Sequence, residues 1–389
     1  MKGVYRLKGT VKHYDWGGYT FIPALLEVDN TDKRPYAEYW LGTHTLGDAL
    51  VQLPEGEKKL SELSSDIPYL LKVLDVKDML SIQVHPSKSA AMEEFARENA
   101  EGIAIDSPQR NYKDDNHKPE MLVALSDFYL LHGFKGEKDL LHILDAVPEL
   151  NGLITVFKEQ SYAGLYKTVM TMPQTEVNAT LQPLLNRIVP LYTDNKLNKN
   201  SEDFWAARAA ITFSKDNEID RGIFSIYLFN VLQLKKGEAL FQGAGLPHAY
   251  LEGQNVELMA NSDNVLRGGL TPKHVDVQEL LKHVKCEPTI PDILEGKKVD
   301  EYTTSYQVQV SDFQLSVVKL AAGETISFTP ATTEVLLLTD GKAEADDDNV
   351  AVKLEKGNPA AVAFAGQEIF LAAAANSTIF RAAEGNSQE

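Results

Sequence analysis

The sequence predicts a mainly β protein with a helical insertion: two β-sandwich domains of one kind plus an α-helical domain. Three observations carry this. Short apolar runs bounded by Gly, Pro, Asn and Asp turns fill the first third of the chain and return from residue 223 onward. Between about 137 and 213 the apolar residues recur at helical spacing instead. Third, Leu234-Lys235-Lys236-Gly237, followed by Gly243-Ala244-Gly245-Leu246-Pro247-His248, is echoed by Leu354-Glu355-Lys356-Gly357, followed by Phe364-Ala365-Gly366. Glu368 stands at the offset that His248 occupies, so no metal is expected in the second copy.

Taken in order, residues 1–60 are turn-rich. Tyr14-Asp15-Trp16-Gly17-Gly18 and Trp40-Leu41-Gly42-Thr43-His44 read as loops in which core aromatics pack beside Gly17, Gly18 and Gly42. Ile67–Leu74 and Met79–Val84 read as paired strands across Asp75-Val76-Lys77-Asp78. Ser89 to Glu98 reads as a short helix capped by Ser89. Met121 to Ser126 is the next strand.

In the insertion, Leu140, Leu141, Ile143, Leu144 and Val147 share a helical face, as do Val177, Leu181, Leu184, Leu185 and Ile188. Ser201 is positioned to cap a third helix, with Glu202 and Asp203 suiting its first turn. Ile223–Leu234, a Lys235-Lys236-Gly237 turn and Glu238–Gln242 then read as strands, and the chain from about 302 as short strands. The chain therefore divides into a discontinuous domain over 1–136 and 214–275, the insertion over 137–213, and a C-terminal β domain over 276–389.

At 389 residues the chain can bury more than one core. Its net charge of −18 argues against nucleic acid or an anionic membrane as partner, since both need a basic surface. An anionic substrate has to be met by a local basic cluster. The single cysteine, Cys286, excludes an internal disulfide and a Cys-rich zinc site. The N-terminus lacks a signal-peptide pattern, and no run of about 18 apolar residues occurs, so a cytoplasmic location is expected. Nothing in the sequence sets the oligomeric state; a monomer is the simplest reading.

The chemistry concentrates at proline-punctuated strand ends. In Ser81-Ile82-Gln83-Val84-His85-Pro86, Gln83 and His85 lie two apart, so on a strand they share a face. A lone strand histidine is ordinarily structural, so a metal site needs more ligands. Glu120 follows Pro119, and His248 follows Pro247 in a Gly-rich loop. Gln83, His85, Glu120 and His248 form a mixed N/O set suited to a borderline divalent ion such as zinc. The stretch Glu257 to Lys273 is polar and glycine-bearing, and its Arg267 and Lys273 supply positive charge suited to oxyanions. His44, His117, His274 and His283 have no partner pattern and read as surface or hydrogen-bonding residues.

These blocks carry a resemblance. Tyr14-Asp15-Trp16-Gly17, Ser81 to Pro86, Asn116-His117-Lys118-Pro119-Glu120, Gly245 to Tyr250 and Ser262 to Lys273 resemble, in order, the type I phosphomannose isomerases. That is a family of zinc-dependent enzymes of cupin-type jelly-roll fold. The resemblance implies one zinc per chain held by Gln83, His85, Glu120 and His248, and Arg267 as the active-site arginine. Asp263, Lys118, Lys273, Ser81 and Glu257 would surround the substrate. Where the family commonly has Ala-Gly after the arginine, this chain has Gly268-Gly269, a change that loosens the backbone mildly.

The implied reaction is aldose–ketose isomerisation of mannose 6-phosphate and fructose 6-phosphate through a cis-enediol. It needs a base and stabilisation of the enediolate oxygens. Arg267 stays protonated and suits the second role. Glu257, Asp263 and a desolvated Lys118 are the candidate bases, with a carboxylate favoured. Ser81, Lys118, Lys273 and Arg267 are the candidates for the phosphate. Two other readings compete: an iron-dependent cupin oxidoreductase, and a sugar-phosphate-binding regulator without turnover.

Overall fold

The structure, a computed structural model, describes residues 1–65, 67–215 and 217–385. Its organising strand is His248–Ala260. Up to residue 252 this strand pairs with Phe128–Phe134. After a register break it pairs with Tyr69–Val76 on one side and Glu120–Ala124 on the other. The bend falls at Gly253, whose φ of +125° is disfavoured for a residue with a Cβ, and such a Cβ would sit 2.6 Å from the Asp127 carbonyl oxygen. One strand thus serves both halves of a ten-stranded sheet.

A second, nine-stranded sheet weaves the two ends of the chain together. Gly3–Lys8 pairs antiparallel with Ala360–Phe364 on one side and Leu50–Leu53 on the other. This sheet is buried on both faces. Val335, Leu337 and Val362 join Leu71, Val73, Val256 and Leu258 in one core, while Leu336, Leu338, Ala361 and Ala363 point into another. The second core is closed by a four-stranded sheet built from Thr325–Phe328, Ile369–Ala373, Ala343–Asp346 and Ala351–Leu354. Two-sided burial explains why Glu334–Asp340 (EVLLLTD) reads as a continuous apolar run rather than an alternation.

Five helices, Glu137–Ala146, Gly152–Thr171, Gln174–Thr193, Glu202–Phe213 and Gly222–Leu228, pack around a third core that includes Ile82, Val84, Phe134 and Leu266 from the strands. Three follow the predicted periodicities, and Ser201 accepts from the Asp203 N–H as an N-cap. The helix Gly152–Thr171 has no clear amphipathic period, and non-helical dihedrals at Ser161 kink it.

Four expectations need correction. Trp40-Leu41-Gly42, read as part of a loop, lies in the buried strand Glu38–Gly42. Ile223–Leu228 is helix, not strand; only Phe229–Leu234 is extended. The helix is buried on every side, and a fully apolar run carries no period to tell it from a strand. Ile67–Leu74 and Met79–Val84 do not pair: the strand is Tyr69–Val76, bonded to Glu38–Gly42 and to His248–Ala260. The Lys77 and Asp78 N–H groups donate to the Trp16 carbonyl, so no hairpin turn forms there. The helix expected at Ser89 spans Lys88–Ala100, capped by Ser87, which accepts from the Ala90 N–H.

Candidate metal centre and active site

Backbone register gathers the site. The short strand Gln83–Val84 lies between two partners, with Gln83 opposite His248 on one side and Arg267 on the other. Ile82 and Val84 point into the helical core, which leaves Gln83 and His85 on the opposite face. Glu120 arrives from a neighbouring strand, where it starts the ladder against Gln242 and Met259.

His85, Glu120 and His248 are all buried, and their ligand atoms lie within 4.8 Å of one another. The His85 Nδ1 is 2.8 Å from the Asn264 carbonyl oxygen, and the His248 Nδ1 is 2.9 Å from that of Leu246. A carbonyl only accepts, so each Nδ1 carries a proton, and in the neutral ring each Nε2 is left with a lone pair. Both lone pairs face the same carboxylate, at 3.4 Å from Glu120 Oε1 for His85 and 3.2 Å from Oε2 for His248. Two acceptors aimed at an anion gain nothing from each other. A cation between them resolves the arrangement, and the backbone carbonyls play the orienting part expected around a metal-bound imidazole. Burial pushes His85 below the usual imidazole value. Burial alone would raise Glu120, but the Lys118 ammonium 3.0 Å away holds it well below the usual carboxylate range. The donor set therefore fits a divalent ion.

A buried ionic chain runs beneath this group. Lys72 donates to Glu257 Oε1 at 3.0 Å and lies 3.8 Å from Glu38 Oε2. The Tyr250 hydroxyl donates to Glu257 Oε2 at 2.7 Å, and the Trp40 indole N–H donates to Glu38. Burial works against the Lys72 charge, yet Glu257, Glu38 and Glu120 together raise its pKa.

Beside the group opens a cavity of ≈ 750 Å³, lined by Trp16, Glu38, Trp40, His44, Lys72, Ser81, Gln83, Lys118, Asp263, Arg267, Thr271 and Lys273 among others. Arg267 has its pKa lowered by burial alone, and Lys273 by burial and then by the Arg267 charge. Two cations that repel each other across a cavity make a place for an anion. Asp263 is desolvated, but contact with His44, whose Nε2 is 3.4 Å from Oδ2, and the charges of Lys118 and Lys72 keep it below the usual carboxylate value.

Known proteins resemble this chain. A model of the type I phosphomannose isomerase catalytic domain matches residues 4–137. The chain is 33% identical to the mannose-6-phosphate isomerase of Salmonella typhimurium over 91% of its own length and 93% of the relative's. It is 31% identical to that of Rattus norvegicus, over 88% of each. The chain belongs to the type I phosphomannose isomerase family. Among solved structures it is similar to the Salmonella typhimurium enzyme bound to fructose 6-phosphate and zinc, with a TM-score of 0.82 and 29% identity over 99% of this chain and 100% of the other.

In this member of the family, the structure brings Gln83, His85, Glu120 and His248 to one place, with Ser81, Lys118, Asp263, Arg267 and Lys273 on the adjoining cavity wall. Glu257 is set back from the larger cavity, engaged with Lys72 and Tyr250 and lining a pocket of ≈ 70 Å³ beside Glu120 and His248. Trp16 and Trp40, which read either as core aromatics or as walls of a sugar pocket, are both: they pack against apolar clusters and line the cavity. The places a Cβ would take on Gly17, Gly18 and Gly42 are filled instead by Ala37, Asp75 and Leu70. His44, expected as a surface or hydrogen-bonding residue, is the second: it is buried, accepts from the Leu46 N–H and faces Asp263. His117 and His283 make the hydrogen bonds expected of them, to Asp312 and Glu279. Sequence reasoning missed Glu38 and Lys72, although a single lysine inside YLLKVLDV is a signal, because an ion buried in an apolar strand needs a partner.

Proposed function

We propose that this chain is a zinc-dependent aldose–ketose isomerase that interconverts mannose 6-phosphate and fructose 6-phosphate through a cis-enediol, acting in the cytoplasm with one zinc per chain. The observation that carries the reading is the pair of neutral imidazoles whose Nε2 atoms face an ionised Glu120, beside a cavity lined by Arg267 and Lys273, neither of which has a carboxylate partner among the described residues. Gln83, His85, Glu120 and His248 are the ligands, within a catalytic domain of residues 1–136 and 214–275. The domain 137–213 closes it on one side, and 276–389 is the metal-free sandwich.

Bound zinc supplies Lewis-acid polarisation of a substrate oxygen. The chain's residues do the rest. Arg267, protonated and without a carboxylate partner among the described residues, stabilises charge on the enediolate or the phosphate. Asp263 lines the larger cavity as an ionised carboxylate, which makes it better placed than Glu257 to carry the proton between C1 and C2. Lys118 keeps Glu120 ionised. Ser81, Lys118, Lys273 and Arg267 are placed for the phosphate. Trp16 and Trp40 exclude water from one wall.

A coupled assay with mannose 6-phosphate, before and after chelation, tests this. Turnover should vanish with the metal and return with zinc, while glucose 6-phosphate serves as the control. Oxygen consumption restored by iron, or saturable sugar-phosphate binding without conversion, would favour the competing readings instead.

A further inference from the structure

The loop that leaves Arg267 is held from outside the β layers. Arg267 itself is fixed by its pairing with Gln83, and the next N–H, of Gly268, donates to the Ile82 carbonyl at 2.8 Å. Beyond that the backbone turns left-handed, with φ of +113° at Gly269 and +54° at Leu270, a conformation that a leucine adopts only when its surroundings impose it. One side chain imposes it. Asp220, in the segment between the helices Glu202–Phe213 and Gly222–Leu228, accepts from the Leu270 N–H at 2.8 Å and the Thr271 N–H at 3.1 Å. It also accepts from the Gly222 N–H at 2.7 Å. The two backbones touch at this point: a Cβ on Gly269 would lie 2.6 Å from the Gly222 Cα, and one on Gly222 would lie 2.6 Å from the Leu270 N. Leu270, Thr271, Pro272 and Lys273 then run along the cavity wall.

We infer that Asp220 is a positioning residue for the reaction. It locks the left-handed turn and so sets Thr271 and Lys273 against the anionic end of the substrate, independently of Arg267. The helical layer thereby takes part in substrate recognition through a carboxylate that touches no substrate. This rests on reading the cavity as a sugar-phosphate site.

The test uses zinc-loaded Asp220→Ala and Asp220→Asn, each checked for folding by its thermal melt. Asn keeps an oxygen for two of the three N–H groups and presents an amide to the third; Ala keeps none. KM for mannose 6-phosphate should rise about tenfold in D220A, the loss of one charge-assisted contact, and by less in D220N. The kcat should stay close to wild type in both. An unaltered KM in folded D220A, or a fall in kcat alone, would overturn the inference. Lys273→Ala separates this from the functional reading: if K273A raises KM and the Asp220 variants do not, the clamp is wrong and the cavity assignment stands. Amide exchange at Leu270 and Thr271 reads the clamp without substrate. Protection lost in D220A supports it even in a chain that fails to turn over mannose 6-phosphate, and unchanged protection overturns it.

Discussion

Strand Glu334–Asp340 and strand Tyr69–Val76 occupy central places in their sheets, and both are apolar runs, but their interiors differ. Along the first, Val335, Leu336, Leu337 and Leu338 fill two cores with hydrocarbon. Along the second, Lys72 stands among Leu70, Leu71, Val73 and Leu74, facing Glu38 and Glu257. The neighbouring strand adds a buried His248, Asn255 and Glu257. Burying apolar area stabilises by roughly 25 cal/mol per Å², whereas taking unpaired ions out of water costs several kcal/mol each. The second strand accepts a charged interior, tolerable only because each ion has a partner, and gains a place where electrostatic interactions are strong.

Substitutions can break this contrast at graded strength. Arg267→Ala should have the largest effect on turnover, a fall in kcat on the order of 10²–10³, with the protein still folded. Stopped or steady-state assays at saturating substrate measure it, and an unaltered kcat removes Arg267 from the mechanism. Lys72→Met comes next. It leaves Glu38 and Glu257 buried without their cation, which should cost about 3–5 kcal/mol of stability. As a support behind the ligands it should also lower activity roughly tenfold or more. Denaturant unfolding and kinetics on the same sample check both, and a stable, fully active variant would show the ion chain to be incidental.

Gly268→Ala should have a smaller effect. The residue is not in a left-handed conformation, so the expected loosening of backbone is not what it provides. A Cβ there would lie 2.8 Å from Ile82 Cγ2 and 2.9 Å from the Tyr166 hydroxyl. Activity should fall roughly threefold from the displaced loop, and adding Tyr166→Phe should recover part of it. Equal activity in both variants would show that the loop absorbs the methyl. At the far end of the series stands Leu336→Ala in the apolar sandwich. It should cost about 2–5 kcal/mol in stability and leave kcat and KM of the folded protein unchanged. A change in KM would mean that the two sandwiches are coupled.

What could be read from the sequence follows from locality. Three helices of the insertion show their period within one stretch, and Ser201 caps where its hydroxyl suggests. The segments that bring His85, Glu120 and His248 together could be picked out because Pro86, Pro119 and Pro247 mark strand ends beside them. The pairing of Tyr69–Val76 and of Gln83–Val84 with His248–Ala260 was not visible, because strand register there is fixed by a segment more than 100 residues away in the chain. His44, Lys72 and Asp220 were missed for a related reason: each works through a contact remote in sequence, to Asp263, to Glu257 and to Leu270. Buried helix Gly222–Leu228 was hidden by uniform hydrophobicity, which erases the period that separates helix from strand.

The central claim is that His85, Glu120 and His248, with Gln83, hold a single zinc on which turnover depends. Titration of metal-free protein with zinc, followed by metal analysis and assay on mannose 6-phosphate, tests it most directly. Activity should rise in proportion to bound metal and level off at one zinc per chain, and Glu120→Ala should neither keep the ion nor turn over. Full activity in metal-free protein, or an equivalent of zinc retained tightly by Glu120→Ala, would contradict it.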